Sequence, residues 1–160
     1  MNTFIIIVNI LVTLSSYTHT KAKSENTIAI DQAPKASVLS VSSTGSTGNY
    51  TFSVEISSPD TGCKQYANWW EVITEDGSTL IYRRILGHSH VNEQPFVRSG
   101  GAVSISENEI IIIRAHMNTS GYGTNTFKGS IANGFTAFTV PKDFATELAT
   151  QKPLPSNCAF

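Results

Sequence analysis

Charge is what this sequence has least of. Asp, Glu, Lys and Arg make up 14% of its 160 residues, against roughly a quarter in an ordinary soluble domain. The formal net charge is −1, and neither sign forms a run. A chain this neutral has no basic face with which to hold a phosphate backbone, so nucleic acid is excluded as a partner. Sulfur is scarce as well, with two cysteines and two methionines. No CxxC pair exists to make a local redox or metal site, and with Met1 and Met117 alone a Met-rich copper carrier is excluded. There is no GxSxG elbow of the hydrolase type. Gly121-Tyr122-Gly123 is not followed by the Lys-Ser/Thr of a phosphate loop. The acids of Glu75-Asp76-Gly77 are too few for a calcium loop, and nothing selects a pair of carboxylates for glycoside cleavage. Ser, His and Asp are all present but no motif selects them for catalysis, so the reading leans toward non-catalytic binding.

Long apolar runs are missing too. Phe4 to Leu14 is apolar apart from Asn9 and Thr13, the length of a signal-peptide core and short of the ~18 residues a membrane helix needs. Polar residues follow at once, and Thr20 and Ala22 fit the −3 and −1 positions of a cleavage site. Met1-Asn2-Thr3 holds no Lys or Arg, so the positive start rests on the α-amino group. No cysteine follows the apolar core, which excludes a bacterial lipid attachment there. The expected organisation is a signal peptide over 1–22, a polar leader over 23–35 and one domain over 36–160, secreted or periplasmic and without stable membrane insertion after cleavage. A chain of this length supports one core. In an exported protein an even cysteine count implies a disulfide, here Cys63 with Cys158, which would pin the tail to the body.

The remainder reads as strands. Tyr50, Phe52, Val54 and Ile56 alternate with polar residues, the period of a strand with one buried face. Trp69 to Thr74 and Thr79 to Leu86 flank Glu75-Asp76-Gly77-Ser78, and Asp-Gly between two such runs predicts a type I′ hairpin. That register puts Ile73 opposite Leu80, Glu71 opposite Tyr82, and Trp70 opposite Arg83 as a cation–π pair, with Glu71 diagonal to Arg84. Neither face of the hairpin is purely apolar, so which one is buried stays open. Gly100-Gly101 reads as a turn before a short strand over 102–105. Ile110 to Ile113 are consecutive, the mark of a central strand covered on both faces. Met117 falls on the face of Ile111 and Ile113, hence in the core. A last strand runs from Ile131 to Val140, interrupted at Asn133-Gly134. Asp143 is placed to cap a short C-terminal helix with Phe144 and Leu148 on one side, before an extended tail. The expected fold is all-β, an antiparallel β-sandwich of about seven strands with immunoglobulin or fibronectin III architecture; a jelly roll or small barrel is the alternative. The Cys…Trp…Cys spacing of antibody-like domains is absent.

Chemistry concentrates in Gly87 to Arg98, which lies between strands, where loops carry function. His88 and His90 point to the same side if the segment is extended. Two imidazoles on one side form half of a Zn or Cu site, with Glu93 or His116 as the third ligand; an isolated exposed HxH ordinarily binds nothing strongly. The wider surface of Trp69, Tyr82, Arg84, His88, His90, Glu93 and Arg98 has the aromatic and arginine character of a recognition patch for a protein or glycan. One of Trp69 and Trp70 is expected in the core. Two readings follow: a non-catalytic binding domain using residues 82–98, and a small Cu- or Zn-binding protein using His88, His90 and a third ligand. Asn49-Tyr50-Thr51 and Asn118-Thr119-Ser120 fit the N-glycosylation pattern.

Overall fold

The structure is a computed structural model that describes residues 34–159. The expected signal peptide and all but the last two residues of the leader lie outside the described residues. The rest is all-β and antiparallel. Nine strands follow in order: β1 (Ser37–Ser46), β2 (Asn49–Ser57), β3 (Ala67–Thr74), β4 (Leu80–Ile85), β5 (Phe96–Val103), β6 (Ile111–Met117), β7 (Gly121–Tyr122), β8 (Asn125–Ser130) and β9 (Gly134–Thr139). One sheet has the order β1-β2-β5, the other β4-β3-β6-β8-β9 with β7 paired to β6. A single short 3-10 helix, Thr146–Thr150, follows. Among the described residues no helix is long and apolar enough to cross a membrane.

The two sheets share one core. The alternation in β2 buries Tyr50, Phe52, Val54 and Ile56, and these pack with Trp70, Val72, Ile111, Ile113, Ala115 and Met117 of the other sheet. Strand β6 is buried along its whole length, and it is central, between β3 and β8. Its second face, with that of β3, is covered by the chain after β9: Ile73 and Ile112 pack with Val140 and Leu148, and Phe144 joins them.

Three local readings are corrected. Gly100 and Gly101 lie inside β5; a Cβ at Gly100 would meet Tyr82 Oη at 2.6 Å, so this glycine permits close approach between β4 and β5. Ile131 to Asn133 form the turn between β8 and β9 and Gly134 opens β9, so the expected last strand is a turn followed by β9 alone. The 3-10 helix is preceded by Ala145, which makes no side-chain cap, so Asp143 does not cap it.

The central hairpin is corrected as well. Gly77 is left-handed with φ 74°, while Asp76 is not among the positive-φ residues, so the turn is not type I′. Gly77 N–H donates to Thr74 O at 2.9 Å, and the Asp76 carboxylate accepts from the Thr74 and Ser78 hydroxyls and the Ser78 N–H. These bonds hold its carboxyl down at about 2. Ile73 does face Leu80, but a bulge then shifts the register, so that Val72 faces Tyr82, Glu71 faces Arg83, Trp70 faces Arg84 and Trp69 faces Ile85. One extra residue, Ile81, exchanges the faces of everything beyond it. Trp70 enters the core, and Arg83 joins Trp69 and Glu71 on the opposite face.

That face holds a buried ion cluster. Glu71 Oε2 accepts from Arg83 Nε at 2.7 Å, and Glu71 Oε1 accepts from Arg114 Nε at 2.8 Å; all three side chains are fully buried. The second positive charge is solvated by backbone carbonyls of the covering segment: Arg114 donates to Phe144 and Ala145, and Arg83 to Leu148, Gln151 and Pro153. Cys63 and Cys158 form the expected disulfide, Cα–Cα 5.6 Å, closing a separation of 95 residues.

Two stability outcomes follow. Glu71→Gln leaves two buried guanidinium groups without a counter-charge and should cost about 3–5 kcal/mol, read as a lower urea midpoint. Gly77→Val combines a strained φ with a Cβ 2.8 Å from both Ala145 Cβ and Phe144 Cζ, and should cost more than about 1 kcal/mol in the same assay.

Candidate functional site

The loop between β4 and β5 owes its shape to Asp60. This buried carboxylate accepts from Ser58 Oγ at 2.7 Å, from Ala67 N–H at 2.9 Å and from His90 N–H at 2.8 Å. The loop then turns back on itself, with Glu93 N–H donating to His90 O and the Gln94 amide bridging His90 O and Ser58. His90 is thereby drawn inward, 2% exposed, and its ring stacks on Phe96 with centroids 3.7 Å apart. His88 stays exposed, its ring centroid 4.4 Å from that of His90. Glu93 completes the group: ligand-type atoms of His88, His90 and Glu93 all lie within 4.8 Å of one another. Together with Ala159 these residues line an open pocket.

Both ring nitrogens of His90 are buried without a hydrogen-bond partner. Asp60 Oδ2 is the carboxylate oxygen nearest Nδ1, but at 3.8 Å it is beyond hydrogen-bonding reach. Burial, assisted by the charges of Arg98 and His88, lowers the His90 pKa to about 4. The ring is therefore neutral at pH 7, the form that coordinates a metal. Arg98 donates to Glu93 Oε2 at 2.6 Å and holds that carboxyl below its ordinary value, so Glu93 is ionised.

The other candidate residues lie apart from this group. His116 is on β6, on the outer face of its sheet, its ring stacked on Trp69 at 3.7 Å with Nδ1 bonded to Asn68 Oδ1 at 2.7 Å. Trp69, 4% exposed, is sandwiched between that ring and the Arg83 guanidinium 4.4 Å away. The expected cation–π pair of Trp70 with Arg83 is thus replaced by Trp69 with Arg83, because of the bulge. Both tryptophans are buried, so neither offers a free stacking surface. Tyr82 packs on Trp70 and Arg84 donates to Ser99 O, both at the junction of β4 and β5. Of the seven recognition residues, the structure groups His88, His90, Glu93 and Arg98; Trp69, Tyr82 and Arg84 belong to other packing units. Asn118 is held to the cysteine loop, accepting from Tyr66 N–H and donating to Cys63 O and Lys64 O. Sequence reasoning missed Asp60 and Phe96, which position His90; the signal that could have pointed there is the turn chemistry of Ser58-Pro59-Asp60.

No family model matches this sequence, and no solved structure matches it. A curated protein of Halomicrobium mukohataei named "Putative lipoprotein" is 38% identical over 72 residues, 45% of this chain and 35% of that protein. The match thus spans about a third of the relative's length.

Burial is the main cause that lowers the His116 pKa to about 3 from 6.5, and Arg83, Arg114 and Lys35 reinforce it. The folded value lies below the unfolded one, so the unfolded chain takes up the proton first. Stability is full above about 6.5 and falls as the pH drops toward about 3. His90 acts in the same direction. In metal-free buffer, His116→Gln should lose less stability than wild type between pH 7 and 5, by up to about 2 kcal/mol, measured by urea unfolding at both pH values. Equal losses would mean that His116 takes up its proton without unfolding.

Proposed function

We propose that this chain is an exported, non-catalytic domain of immunoglobulin-like sandwich type that binds a divalent late transition metal, Zn²⁺ or Cu²⁺, through His88, His90 and Glu93. The observation that carries this reading is the buried, neutral and unpartnered imidazole of His90 beside two further ligand-type side chains. A buried polar group without a partner costs about 1–3 kcal/mol; coordination removes that cost. Two imidazole nitrogens and one carboxylate oxygen suit Zn²⁺ and Cu²⁺, and the open side of the pocket leaves room for water or a donor from another molecule. Asp60 and Phe96 fix His90 from behind, the supporting role that metal ligands commonly require.

A protein- or glycan-binding patch over residues 82–98 is less favoured, because Trp69 is buried and Tyr82 and Arg84 face a different neighbourhood. Export is supported by the signal-like N-terminus, by the disulfide, and by the name of the haloarchaeal relative. The lipid anchor that this name implies does not transfer through either cysteine, since the two are bonded to each other.

The test is calorimetric titration of metal-stripped, oxidised protein with Zn²⁺ and with Cu²⁺. One-to-one binding is expected, weakened at least about tenfold by His88→Ala and by Glu93→Gln. His90→Phe should abolish binding while leaving urea stability equal or higher, because the stack on Phe96 is kept and two unsatisfied nitrogens are removed. Absence of binding by wild type overturns the proposal. So does a His90→Phe variant destabilised by more than about 2 kcal/mol, since that would make His90 a structural residue.

A further inference from the structure

We infer that the Cys63–Cys158 disulfide gates the metal affinity of the His88–His90–Glu93 site; this rests on the metal-binding reading above. Each cysteine is next to a residue that hydrogen-bonds the histidine loop. On the Cys63 side, Gly62 N–H donates to Ser89 Oγ at 3.2 Å, and Ser89 stands between the two histidines. On the Cys158 side, Ala159 N–H donates to Gly87 O at 2.7 Å, its backbone bridges that of His88 in parallel, and Ala159 itself forms part of the pocket wall. The tail approaches this point from Pro153, whose carbonyl is held by Arg83. Between there and Ala159, the covalent and hydrogen-bonding ties of the described tail to the rest of the chain are the disulfide and the contacts of Ala159, while Leu154 to Asn157 line a cleft with Tyr66, Asn68 and Asn118.

The bond is open to exchange. Both cysteines are half-buried and line a cleft with Tyr66, Asn118 and Pro155. An external dithiol reduces it by exchange: the Cys63–Cys158 S–S bond breaks, each sulfur ends as a thiol, and the dithiol gives up two electrons and two protons to become its own disulfide. The tail then loses its covalent attachment. Ala159 is left on Gly87 by hydrogen bonding alone, and the loop that sets the spacing of His88 and His90 is no longer clamped from both sides. A ligand set that must be ordered at the moment of binding binds more weakly than a preorganised one. The oxidised protein therefore holds the metal and the reduced protein releases it.

The experiment titrates Zn²⁺ into three metal-free proteins: oxidised wild type, the Cys63→Ser/Cys158→Ser double variant, and Ala159→Pro with the disulfide intact. The double variant should bind at least about tenfold more weakly than wild type. Ala159→Pro, which removes the donor to Gly87, should bind several-fold more weakly. Unfolding curves show whether the double variant is folded; if it is not, Ala159→Pro decides. Wild-type affinity in the folded variants overturns the gate and leaves the metal site standing. No binding by oxidised wild type overturns the metal reading itself. Wild type reduced with a dithiol, then freed of it under anaerobic conditions, should bind more weakly than before; tighter binding would mean that the thiolates join the ligand set, and the proposal would be wrong.

Discussion

The carboxylate of Glu71, shared between Arg83 and Arg114, governs how the outer face of the larger sheet is closed. Each of its oxygens takes one guanidinium, so one negative charge sits between two positive ones, all three side chains fully buried. A buried triad of this kind persists only if its remaining donors are satisfied. Here the carbonyl oxygens of the chain beyond β9 satisfy them. The requirement runs in both directions. The arginines need those carbonyls, and the covering segment, which packs Val140, Phe144, Ala145 and Leu148 against Ile73 and Ile112, needs the arginines to dock. Tyr122 completes the enclosure, its hydroxyl accepting from Arg83 and its ring lying 3.5 Å from the Arg114 guanidinium carbon. Such clusters contribute little net stability compared with an apolar substitute, but they fix geometry, and here they fix the course of the tail.

The course of the tail determines where Cys158 arrives. Held at Pro153 by Arg83, the chain reaches Cys63 and then places Ala159 beside Gly87. The candidate metal loop is thus bounded by two buried carboxylates used in different ways. Glu71 directs the tail to one side of the loop. Asp60, accepting from Ser58, Ala67 and His90, anchors the loop from the other side and turns one of two neighbouring histidines inward. The resulting asymmetry, one buried imidazole and one exposed, is a combination of fixed and accessible ligands. It arises from backbone hydrogen bonding and requires no motif longer than His-Ser-His.

Much of this was legible in local pattern. The alternation of Tyr50, Phe52, Val54 and Ile56 marked a half-buried strand because side chains of a strand alternate strictly between two environments. Ile111 to Ile113 marked a strand covered on both sides, and the same alternation placed Met117 in the core; Ile110, read as part of that run, lies before β6 and is exposed. The pairing of Cys63 with Cys158 followed from there being only two cysteines. His88, His90 and Glu93 were legible as a group because they are near neighbours in sequence. The two-sheet arrangement could be outlined, but its nine strands could not be counted, since Gly100-Gly101 and Asn133-Gly134 carry the same turn chemistry and only one of them turns.

What the sequence by itself determined, then, is the composition of each strand, the covalent closure and the neighbourhood of the chemistry. Only the tertiary structure decided the register and the partners. One bulge residue, Ile81, moved Arg83 from Trp70 to Glu71 and Trp69. Nothing local encodes that move, because the gain lies in Arg114 on a distant strand and in carbonyls beyond residue 140. His116 was a reasonable third ligand by residue type, yet it sits against Trp69 because β6 pairs with β3 in a register that residue identities alone do not specify. The inward turn of His90 likewise depends on Asp60, thirty residues earlier. Short-range periodicity follows from backbone geometry and can be read along the chain; cross-strand pairing and burial of charge depend on long-range contacts that form together, and they exist only once the sheets have closed.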